Sequence, residues 1–129
     1  MDLLPGFIDH VAFEVADLEA SRRFYAAALA PWGVREVEAD GAFGYGPRGS
    51  EDLWIARGEP GPPLHLALVA SDRTLVDAFH AAGLDGGGRD NGAPGIRAQY
   101  HPEYYAAYLL DPDGNNVEAV HHGTQPQGF

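Results

Sequence analysis

Two stretches of the chain share one pattern of apolar and polar positions. Ile8-Asp9-His10-Val11-Ala12-Phe13-Glu14-Val15 and Leu64-His65-Leu66-Ala67-Leu68-Val69 are short apolar runs, each holding one histidine, and each gives way to a stretch with helical spacing. Read as a strand over 7–15, the first divides by alternation into Val11, Phe13 and Val15 on one face and His10, Ala12 and Glu14 on the other. In the second, Leu64, Leu66 and Leu68 oppose His65, Ala67 and Val69. Both histidines fall in the small and polar set, which suits a cleft better than a core. The two copies keep register, because His10 and His65, Asp17 and Asp72, and Phe24 and Phe79 are each 55 residues apart. This spacing indicates an internal repeat.

After the first run, Asp17 is placed to cap a helix through Leu29, with Leu18, Ser21, Tyr25 and Leu29 near one face and Pro31 ending it. Alternation then predicts strands over 34–38, 42–45 and 53–56, separated by Gly, Pro and Ser clusters. Gly58 to Pro63 reads as a connector between repeats. The second half predicts a helix over 72–82 stopped by Gly83, then a glycine-rich loop over 83–95, mobile or built from turns. Strands are expected over 96–100, 104–110 and 116–121, and 123–129 is a polar tail with no packing signal. Each half thus reads βαβββ, an α+β arrangement. The turn Asp111-Pro112-Asp113-Gly114 feeds the last strand, where Glu118 lies opposite Val117 and Ala119.

Composition narrows the function. At 129 residues the chain suits one domain over 1–129, with module one at about 7–57 and module two at about 64–122. Either half alone would be marginal. There is no cysteine, which excludes disulfides, thiolate metal sites and cysteine nucleophiles. A formal net charge of −11 opposes binding to nucleic acid and to anionic membranes. The first six residues lack the pattern of a leader, and no apolar run approaches the roughly 18 residues needed to span a bilayer. A cytoplasmic location is expected.

Asp9 to Tyr25 at the front and Asp111-Pro112-Asp113-Gly114-Asn115-Asn116-Val117-Glu118 at the back resemble the vicinal oxygen chelate superfamily. Its members include glyoxalase I, extradiol dioxygenases, fosfomycin-modifying enzymes and bleomycin-resistance proteins. The resemblance covers roughly 7–122 and implies two βαβββ modules whose curved mixed sheets enclose a cleft. It further implies a divalent metal (Zn, Mn, Fe or Ni) held by His10, His65 and Glu118, with Glu118 also the catalytic carboxylate. Three such donors from different strands leave coordination positions open to a substrate with adjacent oxygens. A further glutamate that glyoxalase I carries in its first module falls here on Leu53 or, with a one-residue slip, on Trp54, so glyoxalase I activity is not expected. Tyr100, His101, Tyr105 and Trp54 are candidate substrate contacts, with Tyr104 in the same aromatic cluster. His80 is expected at the surface, and His122 shares the parity of Glu118.

Two function classes follow from the resemblance. The first is a metal-dependent lyase, isomerase or ring-cleaving dioxygenase acting on a small molecule. The second is a metal-free binder of small molecules or antibiotics of the bleomycin-resistance type, which the negative charge would suit if the ligand were cationic. A homodimer is expected in either case.

Overall fold

A computed structural model describes residues 7–47 and 50–124. The segment 1–6, residues 48 and 49, and the tail beyond 124 lie outside the described residues, as do the readings made above of the first six residues and of most of the polar tail over 123–129. The first module runs β1 (Val11–Val15), α1 (Leu18–Leu29), a single 3₁₀ turn (Ala30–Trp32), β2 (Arg35–Ala39), β3 (Ala42–Gly46) and β4 (Leu53–Arg57). The second runs β5 (His65–Val69), α2 (Arg73–Asp85), β6 (Arg89–Ile96), β7 (Tyr105–Leu110) and β8 (Asn116–His121). Each module forms a mixed four-stranded sheet, in the orders β1-β4-β3-β2 and β5-β8-β7-β6, with the first strand parallel to the last and the remaining pairs antiparallel. The two βαβββ units read from the sequence are therefore present.

The helices form where capping and apolar spacing agree. Asp17 accepts from Ala20 N at the start of α1, and Asp72 accepts from Leu75 N at the start of α2. On α1 the buried stripe is Ser21, Phe24, Tyr25, Ala28 and Leu29, and on α2 it is Val76, Phe79 and Gly83. The two stripes meet in one apolar core with Val15, Tyr45 and Ile55 from the first sheet and Leu109, Val117 and Ala119 from the second. The modules thus join through their helix-bearing faces. On the opposite face of the second sheet Ala106, Tyr108 and Val120 form a smaller buried cluster with Tyr104 against it, while His65 at the β5 edge stays exposed. Along β1 and β5, Ala12, Glu14, His65, Ala67 and Val69 are exposed, while their alternating neighbours pack inward.

Three expectations about the second module are corrected. Gly83 does not stop the helix, which continues to Asp85. A Cβ at Gly83 would lie 2.2 Å from Leu109 Cδ1 and 3.3 Å from Ala28 Cβ, so this glycine allows α2 to approach both α1 and the sheet. The 83–95 segment is not a loop, since β6 begins at Arg89, and the strand expected over 96–100 is a turn in which Arg97 N donates to Tyr104 O. His80 is not a surface group, because its side chain is only 12% exposed and its Nε2 lies 2.8 Å from Asp90 Oδ1. In the first module, the strand read over 7–15 begins only at Val11.

A buried carboxylate ties the modules together. Asp111 accepts from the backbone N–H of Asp113 and Asn115 and from the Asn115 side chain, which shapes the turn before β8. It also accepts from the Tyr25 hydroxyl of α1, at 2.5 Å. Gly114 completes the turn at φ +85°, a left-handed conformation that favours glycine.

Candidate functional site

On the open face of the second sheet, parallel pairing sets Ala67 opposite Glu118, and antiparallel pairing sets Tyr108 opposite Glu118. Glu118 is only 1% exposed although it is ionisable, and burying a carboxylate is costly unless donors or a cation satisfy it. His65 Nε2 lies 2.8 Å from its Oε1, and the Tyr104 hydroxyl donates to its Oε2. The imidazole of His65 is more than half exposed, so a buried carboxylate is reached from the open face through an accessible histidine.

Phenols surround this pair. Burial, and next the hydrogen bond to Glu118, hold the Tyr104 hydroxyl well above its ordinary range. Burial and the Glu118 charge push Tyr108 up to about 12. Both phenols are therefore protonated donors at neutral pH. His101 and His122 stack on one side, with His101 Nε2 3.0 Å from His122 Nδ1, and both rings meet Tyr104 edge-on. Burial, then the neighbouring His101, lowers the pKa of His122. Tyr100 packs on Tyr104 at a ring separation of 4.8 Å and is itself exposed.

The expected site residues divide between places. His65, Glu118, His101 and Tyr100 share the open face of the second module. Tyr105 does not: alternation along β7 turns it toward α2, where its hydroxyl donates to Asp77 and Arg73 stacks on its ring. Trp54 lies on the first module, its indole across Gly44, where a Cβ would come within 2.9 Å of the ring. His10 does not join His65 and Glu118 within the chain. It precedes β1 in the other sheet, is about half exposed, and has Nδ1 2.6 Å from Asp9 Oδ1. Among the described residues no three His, Asp or Glu side chains form a group able to hold a metal. His10 precedes β1 in the first sheet, whereas His65 and Glu118 sit on β5 and β8 of the second, and the two modules pack through their helices and inner faces.

Register decides between Leu53 and Trp54. Ala12 pairs with Trp54 as Ala67 pairs with Glu118, and Ala12 and Ala67 are repeat equivalents, so the position equivalent to Glu118 is Trp54. Leu53 is buried in the core. Two residues of the open face were not singled out from the sequence. Tyr108 was detectable from its alternation with Ala106 along β7, whereas Arg97, whose guanidinium stacks 5.2 Å from the Tyr108 ring centre, gave no such signal.

Among the described residues no helix is long and apolar enough to cross a membrane. No protein of curated function matches the sequence. A family profile described as a glyoxalase-like domain matches residues 10–120. A glyoxalase/bleomycin resistance protein from Albidiferax ferrireducens is 33% identical, with a TM-score of 0.77 over 94% of this chain and 100% of that one. A fosfomycin resistance protein from Mesorhizobium loti, 23% identical over 92% of this chain and 93% of that one, shares the fold with a TM-score of 0.66. A glyoxalase-related enzyme from Fulvimarina pelagi, 20% identical over 97% of this chain and 94% of that one, does so at 0.72. With a family profile spanning both repeats and a relative one-third identical along its whole length, the chain belongs to the glyoxalase-like domain family of the vicinal oxygen chelate (glyoxalase/bleomycin resistance/dioxygenase) superfamily.

Proposed function

We propose that the protein is a metal-dependent enzyme acting on a small molecule with adjacent oxygens, and that its centre is completed between two copies of the chain. One observation carries this reading: Glu118, almost fully buried, is presented with His65 at the floor of an open sheet face. The donors fit a divalent ion, since an imidazole nitrogen and a carboxylate oxygen 2.8 Å apart are close enough to serve as neighbouring ligands of one first-row metal. His10 of a second copy is the third donor, because within the chain His10 precedes β1 in the other sheet and does not join His65 and Glu118. When bound, the metal supplies Lewis-acid polarisation of a substrate oxygen. The chain's residues do the rest. Tyr104 fixes Glu118 through Oε2 and leaves Oε1 for the site, His65 sets the approach, and the protonated Tyr108 can donate to an oxygen that gains charge.

Subunit complementation tests this reading. Wild-type protein should bind about one Mn or Zn ion per chain, and His10→Ala, His65→Ala and Glu118→Gln should each abolish tight binding. Mixing equal amounts of His10→Ala and His65→Ala chains under exchange should restore about a quarter of the sites, since half the dimers are mixed and each has one intact centre. Single variants that bind metal like the wild type, or dimers that exchange subunits and restore nothing, would overturn the shared centre.

A further inference from the structure

The open face of the second sheet carries a cation that the metal reading does not use. Gly92 is directly opposite Tyr108, and Tyr108 is directly opposite Glu118, so the three form one row across β6, β7 and β8. The guanidinium of Arg97 lies over the glycine end of that row. A Cβ at Gly92 would come within 2.8 Å of Tyr108 Cδ1 and 3.1 Å of Arg97 Nη2, and one at Gly95 within 3.2 Å of Nη1, so both glycines lie directly beneath the guanidinium. Nη2 donates to the Ala93 carbonyl at 2.7 Å, which anchors one edge of the fork, and the plane stacks beside Tyr108. Among the described residues no carboxylate pairs with Arg97, in a chain with 19 acidic residues against 8 basic ones. Two strand spacings separate the ends of the row, about 10 Å. The Tyr108 ring lies between them.

We infer that Arg97 is the anion-binding end of the substrate site, and that the substrate is a small planar acid with adjacent oxygens at one end and a carboxylate, or an anion of similar size, at the other. The inference rests on the metal reading for the oxygen end only. A guanidinium with one edge anchored and the remaining N–H groups free offers a carboxylate a charge-assisted pair of hydrogen bonds. Tyr108, only 9% exposed and covered by the guanidinium, forms the floor between the two ends rather than an open face.

Two titrations followed by ligand-observed NMR separate the two ends. In excess chelator, 4-hydroxybenzoate is compared with 4-methylphenol, which has a similar body and no charge. In metal-loaded protein, 3,4-dihydroxybenzoate is compared with 4-methylcatechol. In each pair the acid should bind about tenfold tighter, and Arg97→Gln should bring the ratio to about one. The comparison of ligands on the wild-type protein stands whether or not the variant folds. Equal binding of acid and neutral compound in both arms, or a preference that survives Arg97→Gln, overturns the arginine subsite. If the acid is preferred in chelator but metal tightens neither catechol, the subsite stands and the metal reading falls. If metal tightens both catechols equally with no preference for acid in either arm, the reverse holds.

Discussion

Removing the Tyr25 hydroxyl, by Tyr25→Phe, tests how the two modules are held together. The hydroxyl is fully buried, and burial followed by the neighbouring Asp111 charge keeps it protonated far above its ordinary range, so it acts only as a donor to Asp111 Oδ2 at 2.5 Å. Phenylalanine keeps the ring, its edge contacts to Phe13 and Phe24, and almost all of the volume. The loss is therefore one charge-assisted hydrogen bond to a carboxylate that water cannot reach. Asp111 retains its two backbone donors and the Asn115 amide, which limits the penalty to about 2 kcal/mol rather than the full cost of an unsatisfied buried charge. For a chain of this size that corresponds to a fall in Tm of about 6–10 °C. Urea unfolding gives the free energy, and an unchanged slope would show that the denatured state is unaffected. A loss below about 0.5 kcal/mol would refute the argument, because Asp111 would then be satisfied by its own turn and the contact between modules would be incidental.

Other outcomes follow from other sites. Glu36 is held below its ordinary carboxylate range of 4.5, first by the hydrogen bond from Arg22 and then by that from the Tyr45 hydroxyl, against burial. A depressed carboxylate stabilises the fold at neutral pH and loses that contribution as pH falls below about 4.5, so Glu36→Gln should weaken the protein at pH 7 and flatten its acid limb in denaturant titrations. Asp72→Ala removes the acceptor for Leu75 N and should cost about 1 kcal/mol by urea unfolding, while Asp72→Ser should cost much less. Trp54 stands where a second-module glutamate equivalent would be needed in the first, so metal-loaded protein should not isomerise the methylglyoxal–glutathione hemithioacetal. Turnover of about 1 per second or more would contradict this.

Much of the fold was legible because its signals were local and repeated. The 55-residue register, alternation in β1 and β5, and the Asp17 cap each express one rule at short range, and the register carries the Asp17 position onto Asp72, which caps α2. The second half of module two was less legible for a physical reason. Its strand β6 carries Gly92, Pro94 and Gly95, residues of low strand propensity, and persists only because β7 supplies the ladder, with register shifts between Asp90 and Gly92 and between Gly92 and Gly95. Gly83 looked like a helix stop because its role, fitting beneath Leu109 and beside Ala28, depends on elements distant in sequence. The same distinction applies to the site. Strand parity puts His65 and Glu118 on one face, where they meet, whereas Tyr105 was grouped with its aromatic neighbours as a candidate contact, and alternation along β7 turns it toward α2. That His10 is separated from His65 depends on how the modules dock, which no local pattern encodes.

The sheet edges add a consequence for self-association. β2 ends the first sheet with Arg35, Glu36 and Glu38 in a five-residue strand, and β6 ends the second with irregular register, two glycines and a proline. Charge on one and broken periodicity on the other discourage a strand from a neighbouring molecule from adding there. The opposite edges are β1 and β5, regular strands preceded by His10 and begun by His65. Protection is thus uneven. β2 and β6 discourage edge-to-edge addition, the Trp32 indole N–H occupies the Val69 carbonyl at the end of β5, and the remainder of the β1 and β5 edges, beside both histidines, is where a second molecule would add.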